Sequence, residues 1–431
     1  MNRLRKIWSP PGDKSITHRA LILASLSEGK SELLNPLISK DTQATIEALQ
    51  ALGVEIKIDE KKITVFGKGL RGLKAPQKII DCKNSGTTLR LLTGVLAAQN
   101  FPSELTGDAS LQTRPMQELV DALVSLGAQV ECSPHGTAPI RIGALSSRAQ
   151  QQSSRACLSS RAQRGISLVS PSAQFKSALQ LYALCMQNHC EILSSSKTRD
   201  HTEKLLSFFG NPPKARDLKV VGDFSSAAFM IALQVLNPGI RFKIENVGLN
   251  PTRIGFLDVL QKMGVKFQTQ SETKKEFANE PSGSIEIQNV TLKGTEISGE
   301  LIPRSIDEFP LIALIATQAK GKTSVKDAAW LKTKETNRIQ TICESLKLCG
   351  AQIHATPDGF EVDGPTPLQG ASVSSYQDHR IGMMLCIANT MSLGQIKIDD
   401  LECVDVSFPD FLKLIKSSSD LIGGSFETHV S

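Results

Sequence analysis

Five times along this chain an amphipathic helical pattern runs into a glycine and then into a short stretch of alternating polarity. The copies read IEALQALGVEI around Gly53, LVDALVSLGAQV around Gly127, FLDVLQKMGVKF around Gly264, ICESLKLCGAQI around Gly350 and, more weakly, TEKLLSFFG at Gly210. Apolar residues at three and four spacing define one buried helix face, and the glycine supplies a left-handed C-terminal cap before the next strand. Recurrence at mostly about 75 to 85 residues predicts a repeated α/β unit. A chain of 431 residues is too long for one ordinary core. Two similar domains of roughly 200 residues, each assembled from several such units, fit that length.

Composition narrows the function classes. Hydrophobic residues make up 40% and charged residues 21%, the balance of a folded globular chain. The net charge of +6 is modest, and few aromatic residues interleave with the basic ones, so a nucleic-acid surface is not indicated. Anionic small molecules are the better match. Pro10 and Pro11 precede any apolar run, which argues against a secretory leader, and no stretch of about 18 apolar residues predicts a membrane span. The nine cysteines form no CxxC pair. Cys185 and Cys190 flank His189, but LQLYALCMQNHCEI reads as a buried helix running into a strand, and reduced thiols explain it better than a metal site. A polar array, SSRAQ at 146–150, SSRA at 153–156 and SSRAQ at 159–163, cannot bury a core and reads as an inserted surface loop at about 146–165.

Six clusters combine Lys or Arg with small polar residues beside helix starts or turns. In PPGDKSITHRALILASL, Gly12 permits close backbone approach, Asp13 precedes the helix, Lys14 brings a point charge, and Ser15 and the free N–H groups can receive anion oxygens, with Arg19 one turn on. The same residues also suit a capped helix with solvated basic side chains. A P-loop fits less well, because the GxxxxG framework is missing. NSGTTLRLLTGVLAA repeats the logic with Asn84, Ser85, Gly86 and Arg90, and LTGDASLQTRPMQELVDAL places Arg114 at a turn before Pro115. SPSAQFKSALQLYAL adds Ser172, Ala173, Gln174 and Lys176, and SKTRDHTEKLL adds Arg199. The acids lie further on. Asp307 and Glu308 precede an apolar helix, Lys334, Glu335 and Arg338 share LKTKETNRIQTI, and Asp378, His379 and Arg380 lie in SSYQDHRIGMM. The spacing of four between Lys334 and Arg338 predicts a shared helix face. Each acid alone reads as a helix cap or ion-pair partner.

Taken in order, PGDKSITHRA, NSGTTLR, LTGDASLQTRPM, SAQFKSALQL, TRDHTE, GDFSSAAF, NPTR, IDEFP, KETNRI and QDHRIGMM resemble the 5-enolpyruvylshikimate-3-phosphate synthase family along almost the full length. The resemblance implies an α/β fold of two similar domains, each of three βαβαββ units in an inside-out barrel arrangement, with the active site in the interdomain cleft. It implies a chain that crosses twice, with residues 1–12 plus 222–431 in domain one, 13–221 in domain two, and hinges near Gly12 and Gly222.

The implied reaction moves the enolpyruvyl group of phosphoenolpyruvate to the 5-hydroxyl of shikimate 3-phosphate and releases phosphate. By resemblance, Lys14, Ser15, Arg19, Ser172, Ala173, Gln174, Arg199, Asp307 and Lys334 contact shikimate 3-phosphate. Lys14, Gly86, Arg114, Gln174, Arg338 and Arg380 contact phosphoenolpyruvate. Asp307 is expected to take the hydroxyl proton and Glu335 to deliver the methylene proton, with Lys14 as the other candidate acid. The resemblance implies a cytoplasmic monomer needing no cofactor, metal or covalent enzyme intermediate. Asn337 and Gln377 stand where Asp is frequent in the family, and Val406 stands where Lys is frequent, removing one expected phosphate contact. Two competing readings are a UDP-N-acetylglucosamine enolpyruvyl transferase, whose reactive cysteine GDASLQTRPM lacks, and a nonenzymatic anion-binding protein, which leaves Asp307, Glu335 and His379 without a role.

Overall fold

A computed structural model describes residues 6–145, 166–168, 172–187, 192–194 and 197–419. The serine-arginine array at 146–163, the insertion expected at about 146–165, and His189 and Cys190 lie outside the described residues.

The chain divides into two units. One comprises Met1–Pro11, Val221–Thr273 and Pro281–Ser431, and the other comprises Gly12–Val220 and Lys274–Glu280. The resemblance implies two crossings between domains, whereas the chain passes from one unit to the other four times, because seven residues, Lys274–Glu280, belong to the second unit. They sit at the tip of a long hairpin formed by Val265–Thr273 and Pro281–Val290, whose strands belong to the first unit.

Four small sheets share one strand order. In the second unit, Glu28–Leu34 pairs with Lys62–Lys68, which pairs with Glu55–Asp59, all antiparallel, while Leu218–Lys219 adds a parallel edge beside Glu28–Leu34. Ile80–Asp81, Ser103–Thr106, Ile140–Ile142 and Val130–Glu131 repeat that order. In the first unit, Lys6–Trp8, Phe242–Gly248, Pro281–Val290 and Val265–Thr273 form one such sheet, and Glu296–Ile297, Gly321–Val325, Gly359–Gly364 and Gln352–Thr356 another. Two of these sheets are contiguous in sequence. The other two take their edge strand from a distant part of the chain, and in the first unit this strand, Lys6–Trp8, comes from the separate N-terminal segment. The remaining repeat in each unit keeps a parallel strand pair among the described residues: Ile166–Leu168 with Ile192–Ser194, and Ser372–Val373 with Lys397–Ile398.

The helices explain the inside-out construction. Phe224–Leu236, Phe309–Ala316 and His379–Asn389 are buried along almost their whole length and pack on one another at the centre of the first unit. In the second unit, Lys14–Ser25, Gly86–Leu96 and Ala173–Cys185 are similarly buried. Such helices carry apolar residues on most faces because little of their surface meets water. Gly94 lets two of them touch: a Cβ there would lie 2.1 Å from the Ala178 carbonyl oxygen. The glycine-terminated helices are the amphipathic layer. Gln117–Ser125, for example, buries Leu119, Val120 and Leu123 and leaves Val124 exposed.

The glycine caps have the expected hand. Gly53, Gly127, Gly210, Gly264 and Gly350 have φ between +85° and +92°. In three of them the amide after the glycine bonds back to the last turn, Val54 to Leu49, Ala128 to Leu123 and Ala351 to Leu346, at 3.0 to 3.1 Å. These are Schellman closures that satisfy carbonyls a helix end leaves open. Among the described residues, no helix is long and apolar enough to cross a membrane. The described cysteines are free thiols, and burial pushes Cys185 up to about 12.

Candidate active site

Of the residues singled out in the sequence, Lys14, Ser15, Arg19, Gly86, Arg114, Ser172, Ala173, Gln174 and Arg199 belong to the second unit. Asp307, Lys334, Glu335, Arg338 and Arg380 belong to the first.

In the second unit, Asp13 caps the helix Lys14–Ser25 by accepting the Ile16 amide at 2.9 Å. Gly12 before it cannot be replaced without moving backbone, since a Cβ would stand 1.9 Å from the Asn35 carbonyl oxygen. That close approach fixes where Lys14 begins. Its ammonium lies 2.6 Å from Asp41 Oδ2, with the two side chains 17% and 9% exposed. Asp41 is in the first turn of Lys40–Ala51, where the helix dipole favours a negative charge. Sequence reading does not single out Asp41, because 27 residues separate it from Lys14.

Arg19 is held from three sides. Its guanidinium donates to the Ser15 carbonyl at 2.9 Å, to Ser177 Oγ at 2.8 Å and to Thr202 Oγ1 at 2.6 Å. Burial lowers its pKa to about 10, with repulsion from Arg199 adding to the fall, while Asp13, Glu203 and Glu280 oppose it. The group stays cationic at neutral pH. Arg199 is close enough for this repulsion, so two guanidinium groups share one neighbourhood.

A second cluster surrounds Gly86. Ser85 caps the helix Gly86–Leu96, and a Cβ on Gly86 would lie 2.8 Å from Arg90 Nη1 and 3.2 Å from Arg114 Nη1. Arg90 donates to Gln174 Oε1 at 2.6 Å, and Gln174 Nε2 donates to Thr87 Oγ1 at 2.8 Å. Arg114 donates to Asn84 Oδ1 at 2.7 Å. Ser172 accepts the Phe175 amide and so opens the Ala173–Cys185 helix beside them. Two helix starts and the turn at Arg114 therefore present Gly86, Arg90, Arg114 and Gln174 together. Arg90 is read in the sequence as part of a basic helix start but not assigned to a substrate, and this contact makes it part of the cluster.

In the first unit the structure separates two adjacent acids. Glu308 is fully buried at the N-cap position of Phe309–Ala316, and its side chain pairs with Arg253 at 2.9 and 3.1 Å and accepts from Ser225 Oγ at 2.6 Å. Asp307 keeps its side chain 20% exposed, 3.7 Å from Arg338 Nη1 and 4.0 Å from Arg253 Nη2. Of the two adjacent carboxylates, Asp307 is the more exposed.

Arg338 opens the helix Arg338–Leu348 and is 1% exposed. Asp378 grips it with both oxygens, at 2.8 and 3.1 Å, and Glu335 Oε2 lies 2.5 Å from Nη2. Burial disfavours the charge on Arg338, but Asp378, Glu335 and Asp307 outweigh it and raise its pKa above the ordinary value. Asp378 is itself fully buried and caps His379–Asn389 through the Arg380 amide at 2.9 Å. Arg380 is nearly buried, its guanidinium 5.8 Å from the Phe229 ring centroid.

The expected shared helix face of Lys334 and Arg338 is not formed. Ala329–Thr333 is a 3₁₀ turn, Lys334 follows in extended backbone, and the helix begins only at Arg338, where Asn337 caps it. Spacing alone could not reveal that break. Asn337 accepts the Gln340 amide, a capping role open to Asn as well as Asp. Val406 ends the 3₁₀ turn Glu402–Val406 and brings no charge.

Buried central helices, small peripheral sheets and basic helix starts define an enolpyruvyl transferase fold, and the enolpyruvyl transferase NikO from Streptomyces tendae superposes with a TM-score of 0.72, covering 97% of this chain and 95% of NikO. At 15% identity that likeness concerns the fold alone. The chain belongs to the EPSP synthase (3-phosphoshikimate 1-carboxyvinyltransferase) family, whose model matches residues 1–415. A 3-phosphoshikimate 1-carboxyvinyltransferase of Bacillus pumilus is 42% identical over 427 residues, covering 94% of this chain and 95% of the relative. One from Petrotoga mobilis is 41% identical over 433 residues, with 94% and 95% covered. The EPSP synthase structure from Acinetobacter baumannii is 32% identical and has a TM-score of 0.76, covering 96% of this chain and 95% of that one.

Proposed function

We propose that this chain transfers the enolpyruvyl group of phosphoenolpyruvate to the 5-hydroxyl of shikimate 3-phosphate, releasing inorganic phosphate. One observation carries the reading: a chain matched to this family over residues 1–415 holds Arg90 and Arg114 against Gly86 and keeps Asp307 and Glu335 at Arg338. Both substrates are multiply anionic. Cations fixed in advance offset their mutual repulsion before any bond forms.

In this proposal Ser15, Arg19, Ser172, Ala173, Gln174, Arg199, Asp307 and Lys334 hold shikimate 3-phosphate. Gly86, Arg114, Gln174, Arg338 and Arg380 hold phosphoenolpyruvate, and Lys14 contacts both. The planar guanidinium fork suits phosphate and carboxylate oxygens, which supports the arginine assignments. Asp307 takes the proton from the 5-hydroxyl as its oxygen bonds to C2 of phosphoenolpyruvate. Glu335 gives a proton to the methylene carbon, making a methyl group. The same carboxylate then takes a proton back from that methyl as the bond to phosphate breaks, leaving the enol ether and phosphate. Partial exposure of Asp307 and Glu335, set against fully buried Glu308 and Asp378, supports these two as the acids that meet substrate.

Phosphate release measured with each substrate alone and with the pair tests the reading. Release that requires both phosphoenolpyruvate and shikimate 3-phosphate is expected. Release that instead requires UDP-N-acetylglucosamine, or none with either acceptor, contradicts it.

A further inference from the structure

The seven-residue excursion Lys274–Glu280 has no part in the assignments above, yet it ends against the helix that follows Arg199. Glu280 and His201 are 1% and 3% exposed, and Glu280 Oε1 lies 2.7 Å from His201 Nδ1. His201 is the first residue of His201–Phe209, and Asn279 holds the same turn by accepting from Lys204 Nζ at 3.3 Å. The next helix residue, Thr202, is buried and places its hydroxyl 2.6 Å from both Arg19 Nε and Ser177 Oγ. Arg199 lies two residues before His201. The excursion therefore grips the first turn of a helix whose start supplies one guanidinium and orients another.

The backbone is bent to make this grip. Ala278 and Asn279 have φ of +52° and +58°, a left-handed pair that an alanine rarely adopts. Phe277 and Ala278 are buried, and Lys219 reaches both Glu276, at 3.8 Å, and the Phe277 ring, at 5.4 Å. The turn is thus fixed against the second unit from both sides. Asp200, His201 and Glu280 also bring ligand atoms within 4.8 Å of one another, a spacing open to a metal ion. The 2.7 Å contact between His201 Nδ1 and Glu280 Oε1 has the length of a direct hydrogen bond.

We propose that Glu280 is a positioning residue for the phosphorylated acceptor: through His201 and Thr202 it sets the orientation of Arg19 and the placement of Arg199. The hydrogen bond, more than the charge, does the positioning, because an anion placed here for its charge alone would weaken the attraction for a phosphate. The inference rests on the reading of Arg19 and Arg199 as shikimate 3-phosphate contacts.

Steady-state kinetics on the full chain test it. Glu280→Ala is expected to raise KM for shikimate 3-phosphate about tenfold while kcat and KM for phosphoenolpyruvate stay within about twofold. Glu280→Gln, which keeps an acceptor for His201, is expected to restore KM to within about twofold of the parent. Thr202→Val, nearly isosteric and safe for folding should Glu280→Ala fail to fold, is expected to raise the same KM. An unchanged KM in Thr202→Val, or a Gln variant as impaired as a tenfold-raised Ala variant, overturns the proposal. Arg19→Lys separates the two levels of the argument. If it leaves KM for shikimate 3-phosphate unchanged, the assignment of Arg19 fails; if it raises KM while Glu280→Ala and Thr202→Val do not, only the positioning role fails.

Discussion

Arg338 Nη2 stands 2.5 Å from Glu335 Oε2 while its other donors face Asp378 and Asp307. One buried cation thus serves three carboxylates, two of which are proposed to move protons. An anionic group of phosphoenolpyruvate at Arg338 would compete with Glu335 for the same guanidinium. In the proposed role, losing that partner would make Glu335 easier to protonate, so that substrate binding would prepare the acid.

Glu335→Gln removes the transferable proton but keeps the side-chain shape. It is expected to lower kcat by about 100-fold or more and to leave KM for phosphoenolpyruvate within a few fold. Steady-state kinetics check this, and near-normal turnover removes Glu335 from its assigned role.

Asp307 and Glu308 are adjacent and should respond in opposite ways. Asp307→Ala is expected to abolish turnover while phosphoenolpyruvate binding, followed by calorimetry, is largely kept. Glu308→Gln weakens the buried pair with Arg253 and is expected to cost stability, on the order of 3 kcal/mol by urea unfolding. Equal effects of the two substitutions on stability would contradict the separation.

Gly86→Ala places a methyl 2.8 Å from Arg90 Nη1 and 3.2 Å from Arg114 Nη1. Both contacts are the mobile ends of long side chains, so the fold should survive and the arginines should shift. KM for phosphoenolpyruvate is expected to rise about tenfold, with little change for shikimate 3-phosphate. A melting temperature within a few degrees of the parent checks that folding is intact.

His18 provides a pH dependence of stability. Burial lowers its pKa to about 3, so it is neutral in the fold while an unfolded histidine titrates near 6.5. Its contribution is complete above pH 6.5 and is lost as the pH falls toward 3, because the unfolded chain then binds the extra proton. Between pH 6.5 and pH 5 the loss from this residue is about 2 kcal/mol. His18→Asn should flatten that part of the urea-unfolding profile, and an unchanged slope would contradict the assignment.

Local features were the readable ones. Each capping glycine has a left-handed φ that its position after an amphipathic helix already demands, and the Ser and Asp residues opening the basic helices cap as their chemistry requires. Contacts made at a distance were not readable. Asp41 meets Lys14 across 27 residues and Glu280 meets His201 across 79, and no periodicity records such pairs. Lys334 shows the limit of spacing, since a 3₁₀ turn and an extended residue replace the helix that the interval to Arg338 suggests. The hairpin tip Lys274–Glu280 was hidden for a similar reason: its flanking strands pair with each other in one unit, while its own side chains pack in the other.

Carbon NMR of a reaction containing shikimate 3-phosphate and phosphoenolpyruvate labelled at C2 tests the central claim most directly. The account predicts that the label appears as an enol ether carbon joined to the 5-oxygen, with one phosphate released for each group transferred. Phosphate release that leaves the label in free pyruvate, or no change in the label at all, would contradict it.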